Sequence, residues 1–304
     1  VNLELSDDAQ EYGREALRAF EAAGGDALVQ QAEDKPGDRE ALVGPVLDGL
    51  GAWDLDPRTD ADGLEAAAAL CRSAGYWALP YPVAERLAAP TGLDTDGLLV
   101  IAGPRPAAAV GGVEKRWTTV TLDGVRGTAT ADGCGPGFVA DLAVRHLDDD
   151  GAADVALALA LPCWTLLGML DRALALTVAH VRLRTQFGQT LSSFQGVQFQ
   201  LTDAEVERSG VDILAKYALW SIASGRPEAL DDALALRMSA LEAAEVVLRV
   251  CHQLHGAVGF CDETTLSWLS RYSQPLRRLP LGLSATRDQL TRRAGSAGLT
   301  GLYA

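Results

Sequence analysis

Apolar residues recur at helical spacing along the first ninety positions. Ala9, Tyr12, Ala16, Leu17 and Phe20 share one face and predict a helix over 5–22, which Gly24-Gly25 stops. Leu42, Val43, Val46, Leu47 and Leu50 predict a second over 38–50. Residues 54–62 read as a polar, proline-containing loop, and a third helix runs from Leu64 to about Trp77. Pro80 and Pro82 then force an extended turn, with Tyr76, Trp77 and Tyr81 plugging the seam between helices. From residue 97 the period shortens. Leu98–Ala102, 107–110, 116–122, 127–130 and 138–144 are short β-favouring runs separated by Gly, Pro and Asp. Residues 97–160 thus read as a β-rich insert of five or six strands, with Asp148-Asp149-Asp150-Gly151 as a turn. Pro162 suits a first helical position. Helices are predicted over about 163–183, 193–224, 228–256, 263–279 and 284–296, and four long antiparallel helices with short connections make a bundle. The expected fold class is mostly α with a small β insert. It has an N-terminal helical domain over 1–95, a reduced β domain over 96–160 and a C-terminal four-helix bundle over 161–304.

Composition narrows the class. A length of 304 residues carries a soft prior of about two domains, and an apolar fraction of 48% can bury a large core. No run of roughly 18 apolar residues is free of charge, which predicts no membrane span. Val1-Asn2-Leu3-Glu4 lacks the basic and apolar regions of a secretory signal. The five cysteines are scattered without a CxxC pair, as expected of free thiols in a reducing cytoplasm. A net charge of −15 argues against nucleic-acid binding. Acidic residues crowd the first hundred positions, whereas Arg271, Arg277, Arg278, Arg287, Arg292 and Arg293 lie near the end. A polyanionic small molecule would find its cations in the C-terminal half.

Two stretches carry candidate chemistry. Arg184-Thr185-Gln186-Phe187-Gly188 lies at a corner between two helical patterns, with Gln195 soon after. Arginine's planar fork suits phosphate, Phe187 offers a flat apolar surface, Gly188 lets the backbone turn, and Gln195 adds a donor and an acceptor. The second stretch is Gln253-Leu254-His255-Gly256-Ala257-Val258-Gly259-Phe260, where backbone this bare can approach a ligand closely. Taken alone, the first reads as a plain helix corner and the second as a glycine cap. His252 and His255 have no further ligand at metal spacing, and no phosphate-loop or nucleophile-elbow motif occurs.

Together, Arg184-x-Gln186-Phe187-Gly188 with Gln195, and Gln253-x-x-Gly256 leading into Gly259-Phe260, resemble the acyl-CoA dehydrogenase family, whose helical, β, helical order also matches. The resemblance implies FAD at a subunit interface. Arg184, Phe187 and Gln195 would meet the pyrophosphate and nearby groups of a flavin held mainly by a neighbour. Gln253, Gly256 and Ala257, the last replacing a glycine, would meet its adenosine and pyrophosphate. The family's general base is a glutamate at a position that falls here near Pro280, within Leu279-Pro280-Leu281-Gly282, and no carboxylate lies between Glu263 and Asp288. Without a placed carboxylate, the α-proton of an acyl-CoA has no acceptor. The chain is similar to one subunit type of the α2β2 heterotetrameric members that oxidise steroid side-chain CoA thioesters. The resemblance therefore implies the subunit without the base, a paralogous partner that supplies it, an acyl-CoA substrate and electron-transfer flavoprotein or a similar acceptor. Two alternatives stand beside it: a flavin-free scaffold or acyl-CoA-binding homologue, and a self-sufficient dehydrogenase using Asp154 or Glu263 as base.

Overall fold

The computed structural model describes residues 3–297, so Val1, Asn2 and residues 298–304 of the regions expected above lie outside it. The N-terminal helices are α1 (Asp7–Ala23), α2 (Ala27–Asp34), α3 (Arg39–Gly49), α4 (Ala61–Tyr76) and α5 (Val83–Leu87). Ser6 caps α1 by accepting from the Ala9 amide, and the Gly25 amide closes its other end on the Phe20 carbonyl at 2.9 Å. α2 had no counterpart in the periodicity: Ala27, Leu28, Val29 and Ala32 are too few apolar residues to show a face. Trp77 and Tyr81 are buried, and the Trp77 indole donates to the Leu17 carbonyl at 3.0 Å, so these rings do fill the seam.

Five strands form one sheet: β1 (Gly97–Ile101), β2 (Ala107–Ala108), β3 (Trp117–Thr121), β4 (Val125–Asp132) and β5 (Ala140–Asp150). Their order is β1-β3-β4-β5-β2, with β1 parallel to β3 and the other pairs antiparallel. The expected turn at Asp148–Asp150 is instead the end of β5, where Asp150 pairs with Val125.

The chain then enters α6 (Ala152–Leu183), which begins eleven residues before the expected start and carries Pro162 in its interior. Asp154, in its first turn, is held by Arg58 at 2.5 Å and by Arg126. Val155 to Leu161 are all buried, so no face of this stretch is polar and the 3.6 period is hidden. After a short hairpin, β6 (Thr185–Gln186) with β7 (Gln189–Thr190), come α7 (Gln195–Ala223) and α8 (Ala229–His255). The single helix expected over 263–279 is two, α9 (Thr265–Tyr272) and α10 (Gln274–Arg278), broken at Ser273 just before Pro275. α11 (Leu283–Ala297) packs on α8 as the short fourth member of the bundle. α6 is the one helix among the described residues long and apolar enough to cross a bilayer, and 83% of its apolar window is buried in protein. It packs against α4 on one side and α7 and α8 on the other. α4 and α6 cross at two glycines. A Cβ on Gly75 would sit 1.8 Å from the Thr165 carbonyl oxygen, and one on Gly168 would sit 1.9 Å from that of Arg72.

Candidate functional site

The two motifs lie at the same end of the bundle. α6 ends at Leu183, and Arg184 turns into extended backbone. Phe187 and Gly188 both take the left-handed conformation (φ 53° and 81°), the geometry of a type I′ two-residue hairpin. A non-glycine residue there costs roughly 1–2 kcal/mol, and the Phe187 ring stands 92% exposed with only Phe194 edge-on beside it. The Leu191 amide donates to the Arg184 carbonyl at 2.9 Å and closes the corner. α7 then starts at Gln195 with no side-chain cap on Phe194. The amides of Gln195 and Gly196 have no acceptor among the described residues. A long helix beginning this way presents free N–H groups and the positive end of its dipole.

The second motif closes α8. Gly256 (φ 64°) leaves the helix, and Gly256–Phe260 form a tight turn. Gly259 packs so closely that a Cβ would lie 2.9 Å from that of His255. The link between the motifs is a pair of imidazoles. His180, in the last turn of α6, stacks on His255, in the last turn of α8, at 4.4 Å between ring centroids and 19° between planes. The His180 carbonyl accepts from the Arg184 amide at 2.8 Å, and His255 Nδ1 lies 2.9 Å from the Cys251 carbonyl. His252 stacks on Phe260 at 4.5 Å. Burial, followed by neighbouring positive charge, holds His180 and His252 below the ordinary histidine range, and burial does the same for His255. In the sequence, His252 and His255 are three apart on one helix, a spacing that suggests only metal ligands. His180 is more than seventy residues away, and nothing in the spacing joins it to them.

All six expected contact residues, Arg184, Phe187, Gln195, Gln253, Gly256 and Ala257, are exposed. Arg184 makes no ion pair, and the Gln195 and Gln253 side chains no hydrogen bond, among the described residues. Nothing lies within 4 Å of where a Cβ would stand on Gly188, Gly196 or Gly256. A free guanidinium, two free amides and bare backbone fit an anionic, diphosphate-bearing ligand such as FAD. They form an open ledge, and the clefts of the molecule are lined by other residues. Around the ledge, Leu183, Val258 and Phe260 are also exposed. Phe199, Val206 and Ile213 lie seven residues apart on one uncovered face of α7.

Neither alternative base lines a cleft among the described residues. Asp154 is enclosed by its two arginines, and Glu263 is exposed on the turn before α9, away from any cleft described. The position near Pro280 where a base was sought lies in a short non-helical segment. It borders a narrow interior cleft that Glu85 and Arg237 also line.

Residues 160–280 match the family model for the acyl-CoA dehydrogenase C-terminal domain. Acyl-CoA dehydrogenase FadE28 of Mycobacterium tuberculosis is 35% identical over 147 residues, 46% of this chain and 43% of that relative, so the match spans less than half of the relative's length. Among solved structures, a chain of the ChsE4-ChsE5 complex from Mycobacterium tuberculosis superposes with a TM-score of 0.76 at 19% identity, covering 98% of this chain and 100% of that one. A chain of the Tcur3481-Tcur3483 steroid ACAD G363A variant does so with a TM-score of 0.77 at 19% identity, covering 97% and 100%.

Proposed function

We propose a role that starts from one premise: this chain carries an acyl-CoA dehydrogenase C-terminal domain over residues 160–280 and the acyl-CoA dehydrogenase fold over its described length. It is the subunit without a base in an FAD-dependent α,β-dehydrogenase of acyl-CoA thioesters, working in the cytoplasm beside a paralogous subunit. Arg184 and the α7 amides of Gln195 and Gly196 meet the diphosphate of a flavin seated mainly on that partner. Phe187 covers its edge, and Gln253, Gly256 and Ala257 meet its nucleotide end. When bound, FAD supplies the acceptor for the β-hydride of the thioester, and the α-proton leaves to a carboxylate of the partner. Electrons pass on to electron-transfer flavoprotein or a similar acceptor.

The observation that carries this reading is the half-built site. An unpaired arginine sits beside an uncapped helix N-terminus, on an open ledge flanked by uncovered apolar side chains. Such a ledge gains its walls only from a second chain. Two of the similar structures are named as pairs of different chains, and one of them as a steroid enzyme, which supports a paralogous partner and a steroid side-chain substrate.

The test is to purify the chain alone and together with the product of an adjacent dehydrogenase gene. A yellow pair and a colourless lone chain are expected; a colourless pair that takes up no FAD refutes the reading and favours a flavin-free scaffold. In the yellow pair, Arg184→Ala should weaken FAD retention about tenfold or more, as loss of one charge-assisted contact of about 1.5–3 kcal/mol requires. Unchanged occupancy would remove Arg184 from the site.

A further inference from the structure

The interior cleft beside Pro280 is closed by an arginine. Arg237 of α8 is only 2% exposed and has no carboxylate partner among the described residues. Its guanidinium donates to the carbonyls of Leu276 at 3.2 Å, Leu279 at 2.7 Å and Leu281 at 2.6 Å. Those carbonyls belong to the end of α10 and the irregular backbone leading into α11, which have few other donors to satisfy them. A buried cation whose partners are all neutral, here three carbonyls and the Cys163 thiol, is costly unless its geometry is good, and Nη2 alone reaches all three carbonyls while Nε adds a second contact to Leu281. Arg237 thereby fixes the course of 276–281. That segment, through Leu276, Leu279 and Pro280, forms one wall of the cleft, opposite Leu98, Leu99 and Val100 of β1 and Ala158 and Leu159 of α6. What remains is about 50 Å³, against roughly 300–1,000 Å³ for pockets that enclose small molecules. The room is enough for a water or two and not for an acyl chain.

We infer that Arg237 is a latch that seals this chain's own acyl cleft, so that the fatty or steroidal part of the substrate lodges wholly in the partner subunit. The inference rests on the proposed function for its substrate, and the latch itself rests on the hydrogen bonds. Arg237 acts as a positioning residue: it holds a wall in place and touches no reacting atom.

The probes are octanoyl-CoA and free CoA, titrated calorimetrically into the wild-type chain and into Arg237→Lys. Lysine keeps the charge, but its ammonium ends one atom short of the terminal nitrogen that reaches Leu276, Leu279 and Leu281. The wild-type chain should bind octanoyl-CoA within about threefold of CoA, showing no contribution from the acyl chain. Arg237→Lys should bind octanoyl-CoA at least tenfold tighter than CoA, with the CoA affinity unchanged. A wild-type chain that already prefers octanoyl-CoA by more than tenfold overturns the latch, as does a folded Arg237→Lys with the wild-type ratio. So does turnover of octanoyl-CoA by the lone chain that Glu85→Gln abolishes, because Glu85 lines the same cleft. Should Arg237→Lys fail to fold, hydrogen exchange on the wild type decides. The Leu279 amide, bonded to Pro275 at 2.8 Å, should be as protected as the core of α8, and loop-like exchange there refutes the latch. A colourless subunit pair would remove the flavin reading and leave these affinity ratios as they are, so the two failures are distinguishable.

Discussion

Gly168→Ala is the sharpest test of how α4 and α6 are joined. The added methyl would lie 1.9 Å from the Arg72 carbonyl oxygen and 2.8 Å from carbonyl carbon and amide nitrogen atoms of α4. Restoring an ordinary contact near 3.4 Å requires the helices to part by about 1.5 Å. The obstacle is backbone, so no side chain can swing aside. A gap of 0.5–1 Å already forfeits roughly a quarter to a half of each contact's attraction, and here Ala67, Leu70, Cys71 and Ala74 of α4 all sit in buried positions. Alanine gains about 1 kcal/mol of helix propensity over glycine. Overpacking costs typically about 1–3 kcal/mol and more where relaxation is blocked. The clash wins, and net destabilisation of about 3 kcal/mol is expected, or a fall in Tm of about 6–10 °C. Gly210→Ala is the matched control. It lies inside α7 with open space where its Cβ would stand, so it should stabilise by about 0.5–1 kcal/mol. Thermal and urea melts followed by circular dichroism give both values. If Gly168→Ala melts with the wild type or with the control, the close crossing of α4 and α6 is wrong.

Two more outcomes follow from charges. Asp154→Asn leaves Arg58 and Arg126 without their shared carboxylate at the start of α6 and should cost about 3–5 kcal/mol. Activity per folded subunit pair should stay unchanged; selective loss of turnover in a stably folded variant would restore Asp154 as a base. The histidine corner makes stability depend on pH. His180, His252 and His255 bind protons less readily folded than unfolded, so the unfolded chain holds more protons at mildly acidic pH and stability rises with pH there. Their contribution should be complete above about pH 6.5 and lost as pH falls through the lowered folded values. His180→Phe with His255→Phe should flatten that part of the profile, and an unaltered slope would show that the stack does not titrate with folding.

The sequence made the bundle legible because α7 and α8 each bury one face and expose another, so their ends fall within two residues of the observed ones. The hairpin corner was legible because few residue pairs other than x-Gly turn so tightly. The start of α6 was not. Val155 to Leu161 alternate large and small apolar residues and are buried all round, which looks like a strand, and the helix is anchored by arginines 96 and 28 residues away. The end of β5 was misread because three aspartates suggest a turn, yet their strand pairs back to Val125. Of the site, the individual contact residues could be named. What joins them, the His180–His255 stack, is a tertiary contact without a local signature. Arg237 carries no local signal either, because its carbonyl partners lie some forty residues on.

α6 has a consequence for how the molecule comes apart. One helix touches α4 and α5 of the N-terminal region, β1 and β3 of the sheet, and α7, α8, α9 and α10 of the bundle. Every region borrows its interior from the same 32 residues. Melting any region strips α6 on one side, and losing α6 removes the floor of all the others. The cooperative unit is then the whole chain, whatever its divisions in sequence. Amides of α6 between Val155 and Leu174 should exchange only through global opening, and a nick at Gly151 should leave two pieces that stay folded only while they hold each other.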